Sequence, residues 1–92
     1  MKPKGRPKKK RNIEQTPKII QFSPRGRPGR PDEIDLLVDE LETLKQADYY
    51  GKHHTQGAQS MGISRPSFGR ILKVARKKVA DALINGKIIR IF

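Results

Sequence analysis

The stretch Met61-Gly62-Ile63-Ser64-Arg65-Pro66-Ser67-Phe68-Gly69-Arg70-Ile71-Leu72 constrains the fold of this chain more than any other. Gly62 suits the left-handed conformation that ends one helix and turns the chain. Ser64 is a good N-cap for the next helix, and Pro66 fits its first turn, where amides lack helical partners. Stepping about 100° per residue from Phe68 places Ile71, Leu72, Ala75, Val79, Ala82 and Leu83 within roughly 60° of it. Arg70, Lys73 and Lys77 fall on the opposite side, with Arg76 on a flank. The pattern predicts a helix from about 65 to Leu83–Ile84, stopped by Asn85-Gly86, with an apolar stripe inward and a cationic stripe outward.

Upstream, residues 54–61 read as a short helix that Gly57 weakens. Ala58 and Gly62, four apart, are the small residue and turn glycine that let two helices approach. Met61, Ile63, Phe68 and Ile71 occupy interior-facing positions. Two helices joined this way have the grammar of a helix-turn-helix. A twenty-residue helix is about 30 Å long, so only its first two turns fit a major groove. Base reading would then belong to Ser64, Arg65, Ser67 and Arg70, and Lys73, Arg76 and Lys77 would meet phosphates. Gly69 adds no side chain between Arg65 and Arg70, so the backbone could come near DNA. The plain alternative is a basic amphipathic helix with a solvated face.

Around this unit, Ile34, Leu37, Val38, Leu41, Leu44 and Ala47-Asp48 recur at helical spacing with acids between them. Two starts compete: Asp32 after Pro31, or Asp39 with Glu42 three residues later in a capping-box-like arrangement. A helix is predicted over about 39–50, ended by Gly51, with 32–38 open between the two. Ile13, Ile19, Ile20 and Phe22 support a short extended stretch packed on the domain. Residues 1–12 have no apolar side chain after Met1 and are expected to be disordered alone. Residues 23–31, with Pro or Gly at five of nine positions, read as a stiff linker. Lys87-Ile88-Ile89-Arg90-Ile91-Phe92 reads as a short strand or a docked tail.

Ninety-two residues make one small domain with little room for a large core. No segment is long and apolar enough to span a membrane, and no secretory signal is visible. With no cysteine, disulfides and thiolate metal sites are excluded. There are 21 Lys+Arg against 9 Asp+Glu, a net charge of +12. Residues 1–31 carry 11 basic and 1 acidic side chains, 32–51 carry 1 and 7, and 52–92 carry 9 and 1. Two basic blocks thus flank an acidic one, as suits a polyanion-binding protein with one face turned to solvent.

No catalytic order, phosphate-cradling Gly loop or metal-ligand spacing stands out, so neither enzyme, cofactor nor metal is expected. Adjacent His53-His54 do not share a helix face, and capping or solvent exposure is expected for them. Asp32, Glu33, Asp35, Asp39, Glu40 and Glu42 read as an acidic solvent face with helix N-terminal preference. Tyr49 and Tyr50 are expected to close the first helix against the body and not to stack on bases.

The run MGISRPSFGRILKVARKKVADALINGK, with DELETLKQAD and FSPRGRP upstream, resembles a family of short, largely uncharacterised prokaryotic proteins with predicted DNA binding. Their helix-turn-helix is similar to the promoter-reading C-terminal domain of sigma factors. The resemblance covers most of the chain and implies DNA binding through Ser64, Arg65, Ser67 and Arg70. The chain departs from the family's habits at Lys52, where an apolar residue is common, and at Gly57, where alanine is. It also lacks the N-terminal cysteine many relatives carry. Some relatives bear a further domain associated with iron–molybdenum cofactor handling, which these residues are expected not to include.

The fold class expected is therefore all-α: a sigma region-4-like three-helix helix-turn-helix domain over 32–92, a partly disordered basic arm over 1–31, and a short C-terminal tail or strand. Gly5-Arg6-Pro7 and Arg25-Gly26-Arg27-Pro28 resemble AT-hook cores, whose arginines lie in a narrow A·T minor groove. Arg6, Arg25, Arg27 and Arg30 are the arm candidates. A polybasic tail gripping phosphates, or a rigid connector, is the simpler reading. With about five phosphates neutralised, log affinity falls against log salt with a slope of about −4.5.

The expected activity is sequence-specific binding of double-stranded DNA by a cytoplasmic, nucleoid-associated transcriptional regulator. A homodimer would raise specificity through two half-sites, though no residue pattern demands one. Two other classes compete. One is an RNA- or ribosome-associated protein, for which an aromatic platform is lacking. The other is an interaction module docking on RNA polymerase through the acidic helix.

Overall fold

Extended backbone at Gln21–Phe22 (β1), Glu33–Leu36 (β2) and Ile88–Ile91 (β3) forms a three-stranded sheet ordered β1-β3-β2. The computed structural model describes residues 11–14, 19–26, 29 and 31–92. β3 is the central strand. It pairs antiparallel with β1, Gln21 opposite Arg90, and parallel with β2, Ile34 opposite Ile89 and Leu36 opposite Ile91. This corrects the all-α expectation, because the protein is a mixed structure of helices and sheet.

The correction follows from a segment that fits two periods. Glu33-Ile34-Asp35-Leu36 alternates acidic and apolar side chains, the period of a strand. The same apolar residues also match a helical template when read on into Val38 and Leu41. The β-branched run at Ile88–Ile91 offers a partner, and a partner decides between the two periods. Residues 87–92, read as strand or tail, contain the strand.

The first helix, α1, spans Val38–Leu44 and continues as a wider π-helical turn over Lys45–Tyr49. Its N-cap is Leu37 and not either aspartate: the Leu37 amide donates to Glu40 Oε1 at 2.9 Å. Gly51, at φ 72°, carries the chain away. The second helix, α2, spans His54–Met61 and closes on Gly62 at φ 67°, whose amide returns to the last-turn carbonyls. The third, α3, spans Arg65–Asn85, starts on Ser64 and ends on Gly86 at φ 64°. Among the described residues, no helix is long and apolar enough to cross a membrane.

Two apolar clusters share Leu44. One joins Ala58, Met61, Phe68 and Leu72, with Ala47 and Ile63 at its edge. The other joins Leu36, Ala75 and Ile91, with Val38, Leu41 and Ile89. Thus α3 is the central support, with α2 and the end of α1 on its first half and the sheet on its second. Its buried stripe is Phe68, Leu72, Ala75 and Ala82. Leu83, placed in that stripe by periodicity, is 76% exposed, because α3 outruns the body beyond Ala82.

Two small residues exchange roles. Ala58 is buried as expected, but the close approach of helices occurs one residue earlier. A Cβ on Gly57 would lie 2.5 Å from two ring carbons of the fully buried Phe68. The glycine read as a weakness is where the ring rests. The first described residues also join the body: the Asn12 amide donates to the Met61 carbonyl at 2.9 Å, and Arg11 pairs with Asp39 at 3.4 Å. Residues 1–10 lie outside the described residues.

Candidate nucleic-acid interface

Capping sets the geometry at the start of α3. Ser64 has extended backbone, and its hydroxyl accepts from the Ser67 amide at 3.2 Å. The Ser64 hydroxyl in turn donates to Ser67 Oγ at 2.9 Å, and Arg70 Nη2 donates to the same oxygen at 3.1 Å. The two hydroxyls therefore hold the Arg70 side chain back along the first turn. Arg65 is exposed beside them. Ser64, Ser67 and Arg70 are thus joined at the head of α3, whereas Arg65 lies on the flank it shares with Arg76 and Arg70 lies on the flank beside Asp39 and Glu40.

Lys73 and Lys77 lie farther along α3 and are exposed. Among the described residues no ion pair joins Arg65, Arg70, Lys73 or Lys77 to an acid. Arg76 behaves differently. Its Nε and Nη2 donate to the two oxygens of Asp48, at 3.1 and 2.6 Å. That bidentate contact holds the Asp48 carboxyl below its ordinary range and pushes the Arg76 guanidinium up. Arg25 is exposed in the segment before β2, while Arg6, Arg27 and Arg30 lie outside the described residues.

The acidic block forms the expected solvent face only in part: Asp32, Glu33 and Asp35 are exposed, but the acids of α1 turn inward. Glu40 is buried, accepting from the Leu37 amide and from Lys78 Nζ at 2.7 Å. Glu42 is buried too, against Gln46 Nε2 at 2.7 Å, and Gln46 Oε1 accepts from Lys52 Nζ at 2.7 Å. Asp39 and Asp48 pair with Arg11 and Arg76, and Glu33 pairs with Arg90 at 3.2 Å. Asp39, Glu40, Asp48 and Glu33 thus neutralise Arg11, Lys78, Arg76 and Arg90. Tyr49, expected to close the helix, is 81% exposed, whereas the Tyr50 hydroxyl donates to Glu14 at 2.9 Å.

On the flank of α3 opposite Lys78, Arg65 and Arg76 border a cavity of about 410 Å³ whose far wall includes Lys52, His53, His54 and Thr55. The His54 ring lies 5.4 Å from that of Phe68, between centroids. Sequence reasoning gave His53 and His54 only a capping or solvent-exposed role and did not place Thr55 at a site. The paired histidines were the available signal, and only the fold brings them opposite two arginines. Among the described residues no group of three His, Asp or Glu side chains converges as metal ligands do.

A family described as "Protein of unknown function DUF134" matches residues 1–92. The chain belongs to DUF134. A relative in Methanococcus maripaludis (strain C7), named UPF0251 protein, is 53% identical over 89 residues, covering 96% of this chain and 68% of the relative. The UPF0251 protein of Prosthecochloris aestuarii is 47% identical over 86 residues, covering 92% of this chain and 56% of that protein. In Chlorobaculum tepidum a UPF0251 protein is 49% identical over 86 residues, again covering 92% of this chain and 56% of the relative. No solved structure matches. These DUF134 relatives carry names that state no activity, so function is argued from the surface just described.

Proposed function

We propose that this protein binds double-stranded DNA in a sequence-dependent way and acts as a transcriptional regulator, not as an enzyme. In this reading α2, the Gly62–Ser64 turn and α3 work as a helix-turn-helix similar to that of sigma factors. The head of α3 enters the major groove, where Arg65 and Arg70 suit the two acceptors on a guanine edge. Lys73 and Lys77 lie farther along the helix, at phosphates. The observation that carries the reading is the outer face of α3: among the described residues Arg70, Lys73 and Lys77 make no ion pair, while Asp39, Asp48 and Glu40 pair with Arg11, Arg76 and Lys78. Arg76, held by Asp48, is placed at the edge of that face. A second copy on a palindromic site, nucleoid association and contact with RNA polymerase belong to the same proposal. The burial of Glu40 and Glu42 speaks against docking through a free acidic helix.

Selection of duplexes from a random pool by the full chain tests this directly. An enriched motif is expected, its guanine positions relaxed by Arg70→Ala. A pool that stays random, or preferential capture of structured RNA at matched salt, overturns the proposal.

A further inference from the structure

The cavity between α2 and α3 carries chemistry beyond base reading, which draws on Arg65 alone of its lining residues. Three positively charged side chains, Lys52, Arg65 and Arg76, border it. One carboxylate, Asp48, stands behind Arg76. Three cations less one anion leave a net charge of +2, the histidines not counted. The first residues of α2, His54 and Thr55, are also in its wall. Their amides sit in the first turn, where a helix supplies no acceptor of its own and its dipole favours an anion. Donors therefore reach this space from two elements and several directions, as a tetrahedral oxyanion needs.

Arg76 is prepared for such a partner. A guanidinium has five N–H donors, and Asp48 takes one from each of Nε and Nη2. The remaining donors are left to a second acceptor, while the carboxylate fixes the plane of the group. Among the described residues Arg65 makes no ion pair, and it borders both this cavity and the head of α3. A phosphate held here would lie next to bases read by that helix.

We propose that this cleft is a phosphate-binding site, made by Arg76, Thr55 and the opening amides of α2, with Asp48 as the residue that positions Arg76 and Arg65 on its rim toward the bases. Its ligand is a backbone phosphate of the bound duplex. That source rests on the DNA-binding reading above; the site itself does not.

Two measurements on the 92-residue chain separate these points. In the first, the 15N-labelled protein is titrated with inorganic phosphate at constant ionic strength. Saturable shifts are expected at the His54 and Thr55 amides and at Arg76 Nε, and Arg76→Gln should abolish them. No saturation, or shifts confined to Arg70, Lys73 and Lys77, overturns the site. In the second, duplex affinity is followed against salt. Arg76→Gln should weaken all duplexes alike and make the log–log slope shallower by about 0.9, the value of one phosphate contact. Asp48→Asn should lower affinity with the cation count unchanged. An unaltered slope in Arg76→Gln overturns the duplex as the source. Should the wild type bind no duplex while phosphate still saturates the cleft, the proposed function fails and the site stands, for a free phosphorylated ligand.

Discussion

Gly57 and Phe68 are the pair most sensitive to a single atom. Replacing Gly57 by alanine gains about 1 kcal/mol of helix propensity but drives a methyl into a ring that has no room to retreat. Overpacking of this kind costs about 1–3 kcal/mol, so the clash wins. Gly57→Ala is expected to lower the urea midpoint, and combining it with Phe68→Leu should recover part of the loss in a double-mutant cycle. Ser64→Ala should cost about 1 kcal/mol by removing the cap of α3, and it also removes the hydroxyl that orients Ser67 toward Arg70. The two sites differ in how far sequence alone revealed them. Gly62 and Ser64 act on their immediate neighbours, so local patterns announced them. The need for Gly57 depends on where a side chain eleven positions later comes to rest, and that is a property of the packed helices.

At the level of elements, α3 carries two kinds of cation that should behave differently. If its head reads bases, Arg70→Ala costs about 1–3 kcal/mol on the preferred duplex and much less on a scrambled one. Lys73→Ala should weaken both by the same factor and reduce the salt slope by about 0.9. Titrations of the two duplexes at several salt concentrations distinguish these outcomes; equal losses for both variants would remove the base-reading role of Arg70. The periodicity of α3 was legible because one helix face meets one continuous body. The segment 33–36 was not, because Ile34 and Leu36 satisfy a strand while Ile34, Val38 and Leu41 satisfy a helix, and the choice is made by Ile88–Ile91 far along the chain. Glu40 and Glu42 were misread for a related reason. An acid is counted as exposed until the lysine or glutamine that meets it is known, and Lys78 arrives from another helix.

For the molecule as a whole, ion pairs bind the segments together and set its response to acid. Glu14, Asp48 and Asp81 all titrate below their ordinary values, through contacts with Lys45, Arg76 and Lys87 respectively. A carboxyl depressed in the folded state stabilises it fully above the unfolded-state value, and that contribution fades as pH falls through the folded one. Stability is therefore expected to be level at neutral pH and to decline below the ordinary carboxylate range. Asp48→Asn should narrow the difference between urea midpoints measured at neutral and acid pH, and an unchanged difference would show that its pair with Arg76 adds nothing. The sheet has a different bearing, on timing. Its middle strand is the last of the described elements to leave a ribosome, and both flanking strands are made long before it. Until then Gln21–Phe22 and Glu33–Leu36 have nothing to pair with, while the contacts between α2 and α3 join near neighbours and can form at once. Such distant pairing slows folding. During synthesis the two helices should close on each other first, with the strands waiting as loose ends that Ile88–Ile91 gathers in.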